Sequence, residues 1–288
     1  MELLKKLLSN LPDGDVVEVR IGLHWTAVVI EVEGKKRCGL SSTLESPYEH
    51  GGEPQVPQAG LLKTIAGREL AALALDNQPT LASVGVATLN ALLPFPETFS
   101  EINAEHVLAN YGADKRVAIV GHFPFIPRLR ERVAELIVLE HDPREGDLPA
   151  EAASQVLPRS DVVAITGMAL ANHTLEGLLR LCAPEALVMV IGPSTPLSPV
   201  LFDYGVDMLS GSIVTEIEAV LRAVSQGANF RQVHRAGVRL VTVNKLGFTD
   251  SALDYRARDS NPATSDEVIF KFDHRNLSTQ NKTNGVLE

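Results

Sequence analysis

Hydrophobic positions repeat differently in the first third of this chain than in the rest. Residues 1–8 place Leu3, Leu4, Leu7 and Leu8 on one side, the spacing of a short amphipathic helix whose leucines turn inward. Residues 15–21 (DVVEVRI) and 25–32 (WTAVVIEV) read as strands, Glu33-Gly34-Lys35-Lys36 as a turn, and residues 37–40 as the start of a third strand. Such short links between neighbouring strands imply an antiparallel meander. Helical spacing returns over residues 61–75 and 81–93, parted by Asn77-Gln78-Pro79-Thr80. Pro79 is expected to stop one helix and Thr80 to cap the next. The predicted order is βββαα. Between its strands and helices runs a Gly-, Pro- and Ser-rich stretch from Ser41 to Gly60, long enough to be a functional loop.

Pro94-Phe95-Pro96 ends this grammar, and the segment to Asp114 reads as a linker with an entry helix. From Arg116 onward, apolar runs end near Gly121, Asp142, Gly167, Gly192 and Gly211, at spacings of 21, 25, 25 and 19 residues. Each interval has room for a strand, a loop and a short helix, so parallel strands with helical crossovers are the economical arrangement. Residues 237–243 are expected to add the last strand. The fold class is α/β: an α+β unit over 1–95, a parallel sheet flanked by helices over 96–248, and a polar tail over 249–288 with little to bury and partial disorder.

Composition narrows the setting. A hydrophobic fraction of 45% with 22% charged residues is that of a soluble globular protein, and 288 residues can bury a sizeable core. The net charge of −10 argues against non-specific nucleic-acid binding. Two distant thiols, Cys38 and Cys182, suit a reducing compartment and exclude a Cys-rich zinc site. No segment has the length and apolarity of a membrane span or a secretory signal, so the expected location is cytoplasmic, with no membrane partner. A homo-oligomer is compatible with the sequence, which sets no particular state.

Chemistry concentrates in three Gly-marked loops. Runs as apolar as VAIV, VVAI and LVMVI read as strands buried on both faces, and in an open α/β sheet the loops that follow them converge where ligands bind. The first, Gly121-His122-Phe123-Pro124, stands where a dinucleotide turn would, but a single Gly replaces GxGxxG and provides no pyrophosphate approach. Glu140 and Asp142 follow about 20 residues later, the place of a ribose-binding acid, although Asp142 could equally cap the next segment. The second loop joins Thr166-Gly167 to Asn172-His173-Thr174, where Asn172 or Thr174 either caps a helix through Leu181 or faces a ligand. The third, Gly192-Pro193-Ser194-Thr195, offers backbone N–H groups at a helix start beside two hydroxyls, a seat for an anion or carboxylate, or else a plain turn with a cap. Ser41, Ser42 and Thr43 form a hydroxyl-rich strand exit that could oppose these loops. His122 and His173, with Asp142 near them, are the candidate ligands for a transition-metal ion, though no HxxxH or HxxE spacing supports a preformed site. No nucleophile elbow, GxxxxGK[ST] loop or catalytic Lys setting is present.

In combination these motifs resemble the putative heavy-metal chelation family of prokaryotes. The resemblance runs from the N-terminus to about Val243. In the first half it is carried by VRIGLHWTAV (19–28), GLSST (39–43), AGRELA (66–71) and ASVGVATLNAL (82–92). The second half contributes VGHFP (120–124), ITG (165–167), NHTL (172–175), GPSTP (192–196), GVD (205–207) and Gly211. The resemblance implies an enolase N-terminal-like domain over 1–95, a Rossmann-like domain over 96–248 and a site in the cleft between them. It implies no enolase chemistry, because the barrel that carries that chemistry is absent. One departure is that this chain has no clear acidic metal cluster.

The leading expectation is therefore a metal-handling protein whose interdomain cleft holds a small anionic or chelating ligand, with or without a metal ion. The alternative is an enzyme with a nucleotide-type cofactor. S-adenosylmethionine suits the loops better than NAD, because it needs no pyrophosphate cradle. A third reading is a subunit that works through protein contacts.

Overall fold

The computed structural model describes residues 1–45, 52–245 and 270–271. Helix α1 (Glu2–Ser9) leads into a meander of β1 (Asp15–Ile21), β2 (Trp25–Val32) and β3 (Lys35–Ser42), antiparallel throughout in the order β1-β2-β3. Leu3, Leu4 and Leu7 of α1 are buried as their spacing predicts, and Leu8 packs at the margin of the same core. The expected loop after β3 lies partly outside the described residues. Residues 61–75 form three short pieces rather than one helix: a 3-10 turn (Leu62–Thr64), α2 (Gly67–Ala72) and a second 3-10 turn (Leu73–Leu75). Helix α3 (Pro79–Leu92) begins at the proline that was expected to precede it. Proline is tolerated in a first helical turn because the N–H it lacks would have no partner there. Thr80 is therefore inside the helix and caps nothing, and its hydroxyl donates to the Leu44 carbonyl at 3.0 Å.

The second sheet has seven strands in the order β11-β10-β9-β8-β5-β6-β7. A two-residue strand β4 (Thr98–Phe99), which pairs with β12 (Phe270–Lys271), and helix α4 (Ala104–Gly112) precede it. Strand β5 (Arg116–Val120), helix α5 (Ile126–Arg130), β6 (Glu135–Glu140) and β7 (Leu148–Pro149) build one side. After helix α6 (Ala153–Val156) the chain crosses to the other side of β5 with β8 (Val162–Thr166), then α7 (Met168–Ala171), α8 (Leu175–Leu181), β9 (Leu187–Ile191) and β10 (Met208–Val214). Strands β5 to β10 run parallel, as the repeating strand–loop–helix intervals predict. The last strand, β11 (Val238–Asn244), follows α9 (Ile217–Ser225) and α10 (Phe230–Arg235) and runs antiparallel to β10. Gly211 does not end a strand. It sits in the middle of β10 opposite Val241, where a Cβ would stand 2.8 Å from the Thr195 carbonyl oxygen. Close approach, not a turn, is what that glycine serves. Apart from Phe270 and Lys271, the expected tail over 249–288 lies outside the described residues. Among the described residues no helix is long and apolar enough to cross a membrane.

The halves share their cores. Strand β2 is apolar almost without interruption because both its faces are covered. Val28, Ile30 and Val32 join α1, α2 and α3, whereas Trp25, Ala27 and Val29 meet Val220, Leu221 and Val224 of α9. The first of these cores continues into Ala118, Val163, Ile165, Val188 and Val190, the residues on one face of the parallel sheet. Val117, Ile119, Val162, Ala164 and Met189 fill the opposite face against α4 and α5. Helix α3 lies between the two sheets and buries 11 of its 14 residues. It is built of small residues for that reason: the Gly39 Cα of β3 lies close enough to α3 that a Cβ there would be 2.1 Å from the Ala87 carbonyl oxygen.

Candidate functional site

Strand order reverses between β5, whose sequence successor β6 lies to one side, and β8, which lies to the other. Crevices at such a reversal, beyond the carboxyl ends of the strands, are the usual ligand positions of open α/β sheets. Gly121 follows β5 and Thr166-Gly167 end β8, so the first two Gly-marked loops flank this point. The third packs on the second. At Gly121 (φ 106°) a Cβ would lie 2.9 Å from Thr166 Cβ, and at Gly167 one would lie 2.6 Å from the Thr195 backbone nitrogen. The Phe123 ring reaches over both Gly121 and Gly192, 3.4 and 3.8 Å from where their Cβ atoms would be, and stacks on Phe125 with 5.3 Å between centroids. Pro124 is exposed beside it. The three loops do converge.

Their backbone donors, however, are largely committed. Gly121 N–H donates to Leu139 O, Gly167 N–H to Ile191 O, Gly192 N–H to Ser210 O and Thr195 N–H to Gly192 O. The expected anion seat at a helix start after Gly192 is not built, because the next helical element is a 3-10 turn at Pro199–Tyr204. Pro193 gives its carbonyl to the Ser212 hydroxyl. Loops two and three instead dock onto the N-terminal half. Ser194, 2% exposed, accepts from Ser42 N–H at 2.9 Å, and Asn90 of α3 donates from Nδ2 to both Leu40 O (2.9 Å) and Ser194 O (3.2 Å). Ser41 is buried and donates to Ser42 O, while Thr43 donates to Gly22 O and bonds Thr26. Ser42, Ser194 and Asn90 thus form the join between the halves, whereas Ser41 and Thr43 bond within the first. The Asn172 carboxamide oxygen accepts from Thr174 N–H at 3.2 Å and from its hydroxyl at 2.6 Å, a local turn that leaves Thr174 at the start of α8 without a side-chain cap.

The two histidines are not brought into one cluster. His173, with φ 63°, donates from Nε2 to the Ala74 carbonyl at 2.8 Å, so that nitrogen carries its proton. His122 accepts at Nδ1 from Arg144 Nη1 at 3.0 Å, which occupies that lone pair. The acid beside His122 is Asp147, not Asp142. Its Oδ2 lies 4.0 Å from His122 Nε2 and accepts from Arg144 N–H at 3.1 Å, whereas Asp142 is exposed on the neighbouring bend. Burial pushes the Cys38 thiol up to about 12 and that of Cys182 up to about 11, so neither supplies a thiolate near neutrality. Among the described residues no three His, Cys, Asp or Glu side chains are placed to hold a metal ion. The donor set does not fit a bare ion. Arg144 and Asp147, which sequence reasoning missed, lie in the polar link after β6. The only signal for them was their position at the carboxyl edge.

Comparison with known proteins agrees with this architecture. Residues 4–93 and 103–243 match two family models, both described as putative heavy-metal chelation. An uncharacterized protein of Methanocaldococcus jannaschii is 26% identical over 228 residues, 76% of this chain and 86% of that one. A crystal structure of a DUF364-family protein of unknown function from Desulfitobacterium hafniense superposes with a TM-score of 0.72 at 28% identity, covering 85% of this chain and 98% of that one. Another, from Pyrococcus horikoshii, gives 0.69 at 22% identity over 84% and 98% of the two chains, a likeness of fold. With both halves matched in order, the chain belongs to the putative heavy-metal chelation family.

Proposed function

We propose that this protein handles metal as a chelate, binding a small anionic ligand together with the ion that ligand holds. The seat is the carboxyl edge at the β5–β8 reversal, facing the N-terminal half. The observation that carries this reading is the group made by Arg144, His122 and Asp147. Arg144 is an exposed guanidinium with donors to spare in a protein of net charge −10, and the half-buried His122 beside it accepts from it through Nδ1. The remaining guanidinium donors suit an anion, and with Arg144 on its Nδ1 the His122 imidazole cannot offer that nitrogen to a bare cation. Phe123, stacked on Phe125 over two glycines, adds an aromatic wall. Loops two and three hold the halves together through His173 and Ser194, and loop one keeps His122, Phe123 and Pro124 half-buried or exposed at the edge. The domain division at residue 95 belongs to this reading, since the ligand would lie where the two proposed domains face each other.

Metal analysis and native mass spectrometry of freshly purified protein test the idea, followed by melting curves with divalent ions alone and as citrate complexes. The complexes should raise the melting temperature, bare ions should not, and Arg144→Ala should remove the effect. If nothing co-purifies and no complex shifts the transition, the proposal is wrong. Saturable binding of S-adenosylmethionine in the same assay, lost in Arg144→Ala, would favour the cofactor-enzyme alternative.

A further inference from the structure

A cavity of about 30 Å³ lies where β3 and the end of α3 meet β10 and the third loop. Arg37, Asn90, Thr195 and Ser212 contribute its polar groups, and Phe95 and Leu197 close its sides. Two residues of this lining carry a buried polar atom with no hydrogen-bond partner, Asn90 Oδ1 and Thr195 Oγ1. The Asn90 amide has a settled orientation. Its Nδ2 donates to two carbonyl oxygens, and turning the group over would set oxygen against oxygen. Asn90 Oδ1 therefore needs a donor from outside the chain. Thr195, 2% exposed, has a hydroxyl that can accept or donate. Leaving such an atom buried and unpaired is unfavourable, so the site is incomplete as the chain alone forms it.

At the margin of the cavity Arg37 commits only Nη1, to Leu92 O at 3.4 Å and Leu93 O at 3.3 Å, and its guanidinium lies 5.8 Å from the Phe95 ring centre. Those bonds are at the long limit, and the half-buried cation keeps donors that suit a carboxylate. A cation beside an orphan acceptor asks for a ligand with both an acceptor-only end and a donor end close together.

We propose that this seam binds a small α-hydroxy or α-amino carboxylate. The carboxylate sits on the Arg37 guanidinium, and the hydroxyl or ammonium donates to Asn90 Oδ1, with Thr195 Oγ1 as its neighbour. A cavity of this size exceeds the roughly 10–15 Å³ that one water needs, and it takes the tip of such a molecule rather than a bulky one. The inference is independent of the site at Arg144.

Calorimetric titration with glycolate, glycine and acetate tests it. Glycolate or glycine should bind in the millimolar range. Acetate, which has no donor, should bind about tenfold more weakly, the worth of one hydrogen bond made to a buried acceptor. Arg37→Gln should abolish binding, Thr195→Val should weaken it, and Arg144→Ala should leave it unchanged. Arg37 is only half-buried, so its variant is expected to fold, which far-UV circular dichroism checks. Equal affinity for acetate and glycolate, retention of binding in Arg37→Gln, or loss in Arg144→Ala would overturn the proposal. So would the absence of saturable binding, which would mean that water alone completes Asn90 and Thr195.

Discussion

Single residues decide two properties. Gly39 lets β3 lie on α3, and a methyl group there would collide with the Ala87 carbonyl and the Ala91 nitrogen, 2.1 and 2.4 Å away. Both are backbone atoms in a packed helix and cannot swing aside, so Gly39→Ala should cost about 3 kcal/mol or more, read as a lowered urea midpoint. Glu105 of α4 shows the electrostatic side. The hydrogen-bonded Arg128 guanidinium holds its carboxyl below the usual carboxylate range, against the opposing effect of burial. A carboxyl lowered in this way adds stability above its unfolded value of roughly 4 and loses it as pH falls through the folded value. Arg128 is mostly exposed, which limits the contribution to about 1 kcal/mol. Glu105→Gln should therefore be less stable near neutrality by about that much, and its urea midpoint should merge with that of the parent in acid. A constant difference at all pH values would assign the effect to packing instead. Gly39 was visible in the sequence only as part of a family-like string, and Glu105 and Arg128 not at all, because their partners lie far along the chain.

At the scale of elements, the strands were the most legible. Runs such as VVAI and LVMVI can only be buried on both faces, and β5, β8 and β9 stand where that pattern places them, as β1 and β2 stand where residues 15–21 and 25–32 read as strands. The sequence misled where a residue type has two uses. Proline stops a helix or begins one, and at Pro79 it begins one. Glycine marks a turn or a close contact, and Gly211 is a contact. Loop three carries the clearest consequence. Ser194 was expected to face a ligand and instead receives the N–H of Ser42 across the join. Ser194→Ala should leave that N–H without its acceptor and cost about 1–3 kcal/mol, with Ser194→Thr restoring part of it. If the alanine variant keeps full stability but loses chelate binding, Ser194 is a ligand contact after all.

For the whole molecule, the relation between the halves matters more than their separate folds. Helix α9 comes from the second half of the chain and covers the sheet of the first, and α3 is buried between both sheets. Neither half closes its core alone. Heating should therefore give one cooperative transition, with calorimetric and van't Hoff enthalpies equal. Two separable transitions would mean that the shared cores contribute little to either half. The site proposed above would lie at a place fixed by this assembly. His173 and Ser194 are held by Ala74 and Ser42 of the first half, while Arg144 and His122 remain available at the edge.

Local pattern was enough to set the strand and helix types, the parallel character of the second sheet and the carboxyl edge as the place where polar loops gather. These follow from burial periodicity, which each segment carries within itself. Which polar residues join the halves and which are left for a ligand was decided only by tertiary structure. A hydroxyl or an imidazole is equally suited to a cap, a seam or a ligand, and only its neighbours in space fix the use. His122 and His173 read alike along the chain, yet a guanidinium from the β6 edge engages one and a carbonyl from the N-terminal half engages the other.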